Sequence, residues 1–171
     1  MQLVIPRETQ PGENRVSATP ETVKKLVRLG AEVVIEAGAG TGAGISDADY
    51  EATGARVGSD RGALLAGADM VLRLRKPDIE EIGQLKSGCI HVSYLDPFNE
   101  QDLIKAFASQ NVTAVSMEMI PRSTRSQKMD ALSSQANLAG YVAVMLAANH
   151  MPRIMPMMMT PAGTLKPAKV F

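Results

Sequence analysis

The sequence has few of the residues that build common metal and hydrolytic sites. Its single cysteine, Cys89, excludes an internal disulfide framework and a cysteine-cluster metal site, and fits a reducing compartment. It has only two histidines, and no metal site or catalytic triad is recognisable. No apolar run approaches the roughly 20 residues of a membrane span. The longest one, 138–150, predicts a buried helix.

The charges balance, with 18 Lys and Arg residues against 18 Asp and Glu residues. No overall field therefore favours nucleic acid or an anionic membrane as a partner. The N-terminus "MQLVIPRE" turns polar after five residues, which is not typical of a signal peptide. The length of 171 residues and the hydrophobic fraction of 45% suit a globular domain with a real core.

Strand and helix patterns alternate along the chain as far as Pro121. The predicted strands are short, apolar runs at 2–6, 32–38, 69–77, 89–95 and 112–120. The predicted helices lie between them at 19–30, 47–54, 61–68, 78–85 and 99–110. This alternation predicts an α/β fold, a Rossmann-like or flavodoxin-like domain with a parallel sheet covered by helices.

The first predicted helix has clear start and stop signals. Thr19 is a suitable N-cap, Pro20 occupies the first helical position and Gly30 follows the last turn. The residues expected to form its apolar face are Val23, Leu26, Val27 and Leu29.

Beyond Pro121 the pattern changes. A polar stretch at 121–134 predicts a loop and 134–150 a long helix, and a segment rich in Met and Pro completes the chain. The final "AKVF" (168–171) resembles the first half of a buried strand, so we expect further chain to follow it. The predicted division is a Rossmann-like domain at 1–135, then at 136–171 a connecting helix and the start of a truncated NAD-binding domain.

A glycine-rich segment, "VVIEAGAGTGAG" (33–44), invites comparison with a dinucleotide-binding loop. Gly38, Gly40 and Ala43 match only the relaxed form of the G-x-G-x-x-G pattern. The acidic residue about 20 positions on, Asp60, is placed to start a helix and not to bind ribose. We therefore interpret the segment as a strand-to-helix turn.

Three segments carry a family resemblance: "IPRETQPGENRVSATPETVKKLVRLGAEVVIEAGAG", "AVSMEMIPRSTRSQKMDALSSQANLAGY" and "PMMMTPAGTLKPAKV". The chain resembles the N-terminal part of the NAD(H)-binding alpha subunit of proton-translocating nicotinamide nucleotide transhydrogenases, whose fold alanine dehydrogenase shares. The resemblance implies two Rossmann-like domains, of which this chain holds the first. The nucleotide loop of the second would follow "AKVF".

The resemblance also implies a loop that reaches NAD(H) from the first domain. The matching residues are Arg122, Gln127 and Asp130, as catalytic and cofactor-binding residues, with Ser133 as a further cofactor contact. Arg122 offers a planar fork to phosphate, Gln127 both donates and accepts, and Asp130 accepts. The alternative is a solvated basic loop in which Asp130 and Ser133 cap the next helix.

Alanine dehydrogenase is the competing resemblance. It implies a substrate carboxylate held by Arg15 and by a lysine whose position falls at Arg73 or Arg75, next to Lys76. Its histidine acid/base position falls near Asp96. A carboxylate of ordinary pKa is a poor substitute for a group that must titrate near neutrality, which disfavours this activity.

The histidines and methionines have structural interpretations. His91, inside a predicted strand, is expected to be a hydrogen-bonded core residue, and His150 to interact with a helix C-terminus. We expect the methionine cluster to provide adaptable packing and not a metal site. Its members are Met151, Met155, Met157, Met158 and Met159.

The transhydrogenase resemblance implies an oxidoreductase that transfers hydride between NAD(H) and NADP(H), coupled to proton movement. The NADP(H)-binding and membrane-embedded components would be partners, and the subunit a homodimer. It would lie at the cytoplasmic or matrix-equivalent membrane face, attached through partners without direct insertion. We expect no metal and no nucleic acid. The alternative to an enzyme is a non-catalytic remnant or split-gene piece, because the nucleotide loop is absent.

Overall fold

The computed structural model describes residues 1–169, which form two compact units. The first unit is Met1–Ile120 and the second begins at Pro121. The predicted domain boundary after residue 135 stays a prediction. Of the predicted strand at 168–171, the last two residues lie outside the described residues.

The first unit contains a six-stranded, entirely parallel sheet, which confirms the predicted α/β class. Its spatial order is β3-β2-β1-β4-β5-β6. The strands are β1 (Gln2–Ile5), β2 (Glu32–Glu36), β3 (Arg56–Gly58), β4 (Met70–Leu72), β5 (Ile90–Ser93) and β6 (Thr113–Ser116).

Helices on both faces of this sheet bury its apolar residues. Because successive strand residues point to opposite faces, Val4, Val34 and Val71 enter one core cluster, while Leu3 and Ile35 enter the other. The helices of this unit are α1 (Pro20–Arg28), α2 (Asp47–Glu51), α3 (Arg61–Gly67), α4 (Ile79–Ile82) and α5 (Gln101–Ser109).

The predicted helix caps are confirmed, but one residue of the predicted apolar face of α1 is exposed. The Thr19 side chain accepts from the Thr22 amide at 3.4 Å, and Asp60 caps α3 through the Ala63 amide at 3.0 Å. Leu29, however, is 83% exposed. The helix ends at Arg28, so Leu29 is its C-cap and no longer follows the helical face.

The strand predictions failed where polar residues enter the strands. The edge strand β3 was missed because its sequence, Arg-Val-Gly, has no apolar run. Strand β4 ends at Leu72 and not at Pro77, because the amides of Leu74 and Arg75 donate to the Glu8 side chain and not to a neighbouring strand. Strand β6 ends at Ser116, where a short 3₁₀ turn begins.

The glycine-rich segment is a tight turn between β2 and α2, as interpreted. A Cβ atom on Gly40 would lie 2.8 Å from the backbone oxygen of Ile45 and 2.9 Å from Tyr50. One on Gly42 would lie 2.9 Å from the backbone oxygen of Asn14. Close approach of backbone to backbone therefore explains these glycines without a nucleotide.

The second unit contains α6 (Ala131–His150) and an antiparallel hairpin of β7 (Met158–Thr160) and β8 (Gly163–Leu165). The prediction that 138–150 is buried was wrong for this chain, because none of the residues of α6 is buried. Its exposed large apolar residues are Leu138, Tyr141, Val142, Val144, Met145 and Leu146.

Helix α6 also corrects the estimate made from apolar run length. It has 20 residues, and an 18-residue stretch of it has a mean hydropathy of 1.2, so over the described residues it is the one helix long and apolar enough to cross a membrane. Length and composition do not distinguish a membrane helix from one covered by other protein, so this finding alone assigns no membrane role.

Candidate functional site

The order of the strands reverses between β1 and β4, and ligands of doubly wound sheets bind at such points. Here the loops after the two strands are tied together. The Glu8 carboxylate accepts hydrogen bonds from the Leu74 amide at 2.6 Å and the Arg75 amide at 3.2 Å. The Ser17 hydroxyl donates to the Leu72 carbonyl at 2.9 Å.

A polar cavity of about 290 Å³ opens beside this point, and an ion-pair cluster lies at its wall. Glu13 accepts from Arg15 Nη2 at 2.6 Å and from Arg75 Nε at 2.8 Å. The pKa of Glu13 is lowered to about 2, chiefly by the hydrogen bond from Arg15. The cavity is lined by Arg7, Glu8, Glu13, Asn14, Arg15, Gly38, Ala39, Thr41 and Gly42.

We expect the Glu13 carboxyl to titrate near pH 2 in the folded chain. The ¹³C chemical shift of its carboxyl carbon, followed by NMR as a function of pH, measures this midpoint. Because its folded pKa is depressed below the ordinary 4.5, its stabilising contribution is present above pH 4.5 and lost as the pH falls towards 2. Arg15→Gln should raise this midpoint. Arg56→Gln, whose side chain pairs with Glu32, is the matched control and should leave it unchanged. A wild-type midpoint near 4.5 would contradict the arrangement.

The two arginines that were predicted as alternatives for holding a substrate carboxylate, Arg73 and Arg75, lie in different surroundings. Arg75 lies with Arg15, and both hold Glu13. Arg73 is buried and pairs with Glu81 at 2.7 Å. Lys76 pairs with Glu100. An incoming carboxylate would therefore share Arg15 and Arg75 with Glu13.

Asp96, near which the alanine dehydrogenase resemblance places a histidine, lies in the loop after β5. Its backbone has a positive φ of 52°, and Asn99 Nδ2 donates to its carboxylate at 2.8 Å. The amides of Leu95 and Asp96 both donate to Glu118, which fixes the loop. Asp96 itself is exposed to solvent.

A partly buried ionic network, which sequence reasoning missed, lies under this edge of the sheet. Glu81 accepts from Arg61 Nε at 2.6 Å and from Arg73 Nη1 at 2.7 Å. Arg61 also pairs with Glu36, whose carboxylate accepts from the Arg7 amide at 2.8 Å. These residues are far apart in sequence, so no local motif could have found them.

His91 is a core residue, as predicted, but the predicted hydrogen bonds to it are not found among the described residues. Both of its ring nitrogens lack a partner among the described residues, and its ring packs on Phe107 with the centroids 5.0 Å apart. Burial lowers the pKa of His91 to about 3, with the charge of Arg73 acting in the same direction. At neutral pH the imidazole is therefore uncharged.

In the second unit, the residues of the predicted nucleotide loop come together. Arg122, Gln127 and Asp130 line one cavity of about 290 Å³, with Ser123 and Thr124. This set offers donors and acceptors suited to phosphate and ribose.

The fourth predicted residue, Ser133, does not line this cavity but binds Asp130. Its amide and hydroxyl donate to the Asp130 carboxylate at 2.9 and 2.6 Å. These bonds lower the pKa of Asp130, and the charge of Arg122 assists. Asp130 is the N-cap of α6, so the helix starts at Ala131, earlier than predicted.

The methionine-rich segment forms a second, mainly apolar cavity of about 560 Å³. Met151, Met155 and Met158 line it, together with Arg153. Among the described residues no group of three His, Cys, Asp or Glu side chains could hold a metal ion. His150 is in the last turn of α6.

A doubly wound parallel sheet with a crevice at its switch point is typical of α/β domains that bind nucleotides. The polar loop that follows the sheet in sequence agrees with this class. A family model described as "Alanine dehydrogenase/PNT, N-terminal domain" matches residues 4–139. The chain therefore belongs to the alanine dehydrogenase/PNT family.

Within that family the chain is more similar to transhydrogenase subunits. It is 42% identical over 170 residues to NAD(P) transhydrogenase subunit alpha of Cereibacter sphaeroides, covering 99% of this chain and 32% of the relative. A solved transhydrogenase of Sinorhizobium meliloti superposes with a TM-score of 0.92 at 47% identity, covering 98% of this chain and 50% of that one. Alanine dehydrogenase of Halomonas elongata is 33% identical over 153 residues, covering 90% of this chain and 41% of the relative. The chain thus spans half or less of the length of these three proteins.

Proposed function

We propose that the chain is part of an NAD(P) transhydrogenase alpha subunit, an oxidoreductase that exchanges hydride between NAD(H) and NADP(H). The observation that carries the proposal is the cavity that brings Arg122, Gln127 and Asp130 together. The greater similarity to transhydrogenase subunits than to alanine dehydrogenase supports it.

The residues of the loop fit a nicotinamide nucleotide held by this component. Arg122 can offer a bidentate contact to phosphate, and Gln127 can donate and accept at a ribose or carboxamide. The Ser133 hydroxyl donates to the carboxylate of Asp130, one of the residues that line the cavity. The bound nicotinamide supplies the redox chemistry, so the protein groups need only position it and exclude water. In our proposal NAD(H) binds here and NADP(H) binds to a partner component.

The proposed partners are an NADP(H)-binding component and a membrane-embedded component, with the subunit itself a homodimer. The exposed apolar residues of α6 support these partners. A helix that is apolar on all sides is normally buried, so another protein surface is expected to cover it. We propose a position at the cytoplasmic or matrix-equivalent face of the membrane, through partners and without direct insertion.

The second candidate is an alanine dehydrogenase-like oxidoreductase. It is favoured by Arg15 and Arg75, which both pair with Glu13 and so lie close enough together to hold one substrate carboxylate. Against it, Asp96 stands where that activity needs a titrating histidine. Neither candidate requires activity of the isolated chain, and we propose that the chain alone is inactive and binds NADH only weakly. The third possibility, a non-catalytic remnant, is tested by the same experiment.

The test supplies the downstream half of a transhydrogenase alpha subunit in trans, together with an NADP(H)-binding component. We expect the mixture to reduce an NADP⁺ analogue from NADH, and the chain alone to show little NADH binding. Oxidation of L-alanine with NAD⁺ would instead support the second candidate. Failure of the downstream half to restore NADH binding would support the remnant. Tight NADH binding by the chain alone would contradict the proposal that the isolated chain binds NADH only weakly.

In that reconstituted system, Gln127→Asn should slow hydride transfer about tenfold, because a shorter amide misplaces its contacts by more than an ångström. NADH affinity should change much less. Arg125→Gln is the matched control, since Arg125 carries charge in the same loop without lining the cavity. Stopped-flow transfer rates and NADH titration separate the two effects. Equal losses in rate and affinity would make Gln127 a simple affinity contact.

A further inference from the structure

Three buried polar side chains lie side by side on one face of the sheet, where β4 and β5 end. Val71 pairs with His91 and Leu72 with Val92, so Arg73 follows next to Ser93. The Arg73 amide donates to the Val92 carbonyl at 3.1 Å, which fixes this register beyond the strand. His91 and Ser93, two residues apart, point to the same face. Their exposures are 1% and 0%, and that of Arg73 is 4%.

All three side chains have polar atoms without a partner among the described residues. These atoms are His91 Nδ1, His91 Nε2, Ser93 Oγ and Arg73 Nε. Buried polar atoms are almost always hydrogen-bonded in folded proteins, either to protein or to ordered water. A group of such atoms in one place therefore indicates a bound molecule that can both donate and accept.

The chemistry of the three groups restricts what that molecule is. Arg73 Nε can only donate, the uncharged His91 ring donates from one nitrogen and accepts at the other, and Ser93 does both. The charge is already balanced, because Arg73 Nη1 pairs with Glu81 at 2.7 Å. An anion would add an uncompensated charge, whereas water matches this mixture of donors and acceptors.

We propose that Arg73, Ser93 and His91 form an internal water-binding site between β4 and β5. The proposal is independent of the function proposed above. The site extends the ionic network through Glu81 and Arg61 to the Arg7 carbonyl, which accepts from Arg61 Nη1 at 3.0 Å. Arg7 lines the switch-point cavity, so the water would help to fix one wall of it.

The first test uses the unmodified chain. Water–protein cross-relaxation NMR should show a long-lived water in contact with the Arg73 Nε proton and the His91 ring protons. Long-range ¹⁵N correlations should show a single neutral tautomer of His91 at pH 7. A direct His91–Ser93 hydrogen bond with no water signal at Arg73 would overturn the proposal.

The second test counts internal waters by ¹⁷O relaxation dispersion. Ser93→Ala removes one partner and should lower the count by one relative to the unmodified chain. Ser17→Ala is the matched control, because its hydroxyl already donates to the Leu72 carbonyl. An unchanged count in a folded Ser93→Ala chain would contradict the site, and the cross-relaxation result decides if that variant does not fold.

Discussion

Replacing Glu81 by glutamine is expected to lower the free energy of unfolding by about 3 kcal/mol, because removal of one partner leaves buried charge uncompensated. The Glu81 carboxylate accepts from both Arg61 and Arg73, and the Arg73 side chain is only 2% exposed. Glutamine keeps the size of the side chain but cannot neutralise either guanidinium. Urea unfolding followed by circular dichroism measures the loss.

The same substitution should flatten the acid side of the stability profile. Burial raises the pKa of Glu81, but the hydrogen bonds from Arg61 and Arg73 outweigh it, so the folded pKa lies below 4.5. The stabilisation by Glu81 is therefore complete above that pH and is lost as the pH falls below it. Glu80→Gln, one residue earlier and exposed, should change stability by less than about 0.5 kcal/mol. Equal effects of the two variants would refute the role of the network.

Replacing Gly40 by alanine should destabilise the first unit by about 2–3 kcal/mol, because the added methyl group overpacks the turn. The clash is with the backbone oxygen of Ile45 at 2.8 Å, which cannot rotate away as a flexible side chain could. The Tyr50 ring, at 2.9 Å, is fully buried and anchored by its hydroxyl to the Ala18 carbonyl. Thermal and urea unfolding measure the effect.

The matched control is Gly62→Ala in α3. There a Cβ atom would meet nothing closer than 3.6 Å, and alanine is the better helix former. We expect stability equal to or slightly above that of the unmodified chain. A Gly40→Ala chain as stable as this control would mean that the turn relaxes and that its glycines serve another purpose.

Periodicity and capping predicted much of the fold because they are local. Thr19 and Asp60 cap helices with side chains that reach only three residues along the chain. Strand β3 escaped prediction because an edge strand needs little apolar sequence, and its pairing with β2 is a tertiary effect. The exposure of α6 could not be predicted, because the pattern of a buried helix does not reveal what covers it.

Part of the candidate site could likewise be predicted from the sequence, and part could not. Arg122, Gln127 and Asp130 were predicted by resemblance, and they lie within a short segment, 122–130, that brings them together to line one cavity. The network of Glu36, Arg61, Glu81 and Arg73 depends on how β2, β4, α3 and α4 pack. Such a cluster has no spacing that a single sequence can display, so only the structure reveals it.

The bonds from Glu8 to the Leu74 and Arg75 amides have a kinetic consequence. They close a loop of 66 residues and join the two halves of the sheet where the chain itself makes no short connection. Forming a contact across so long a loop costs chain entropy, which slows folding, and parts of a folded protein can open separately from the rest. The solvent-exchange rates of these two amides should therefore report whether the halves of the sheet separate before the chain unfolds completely.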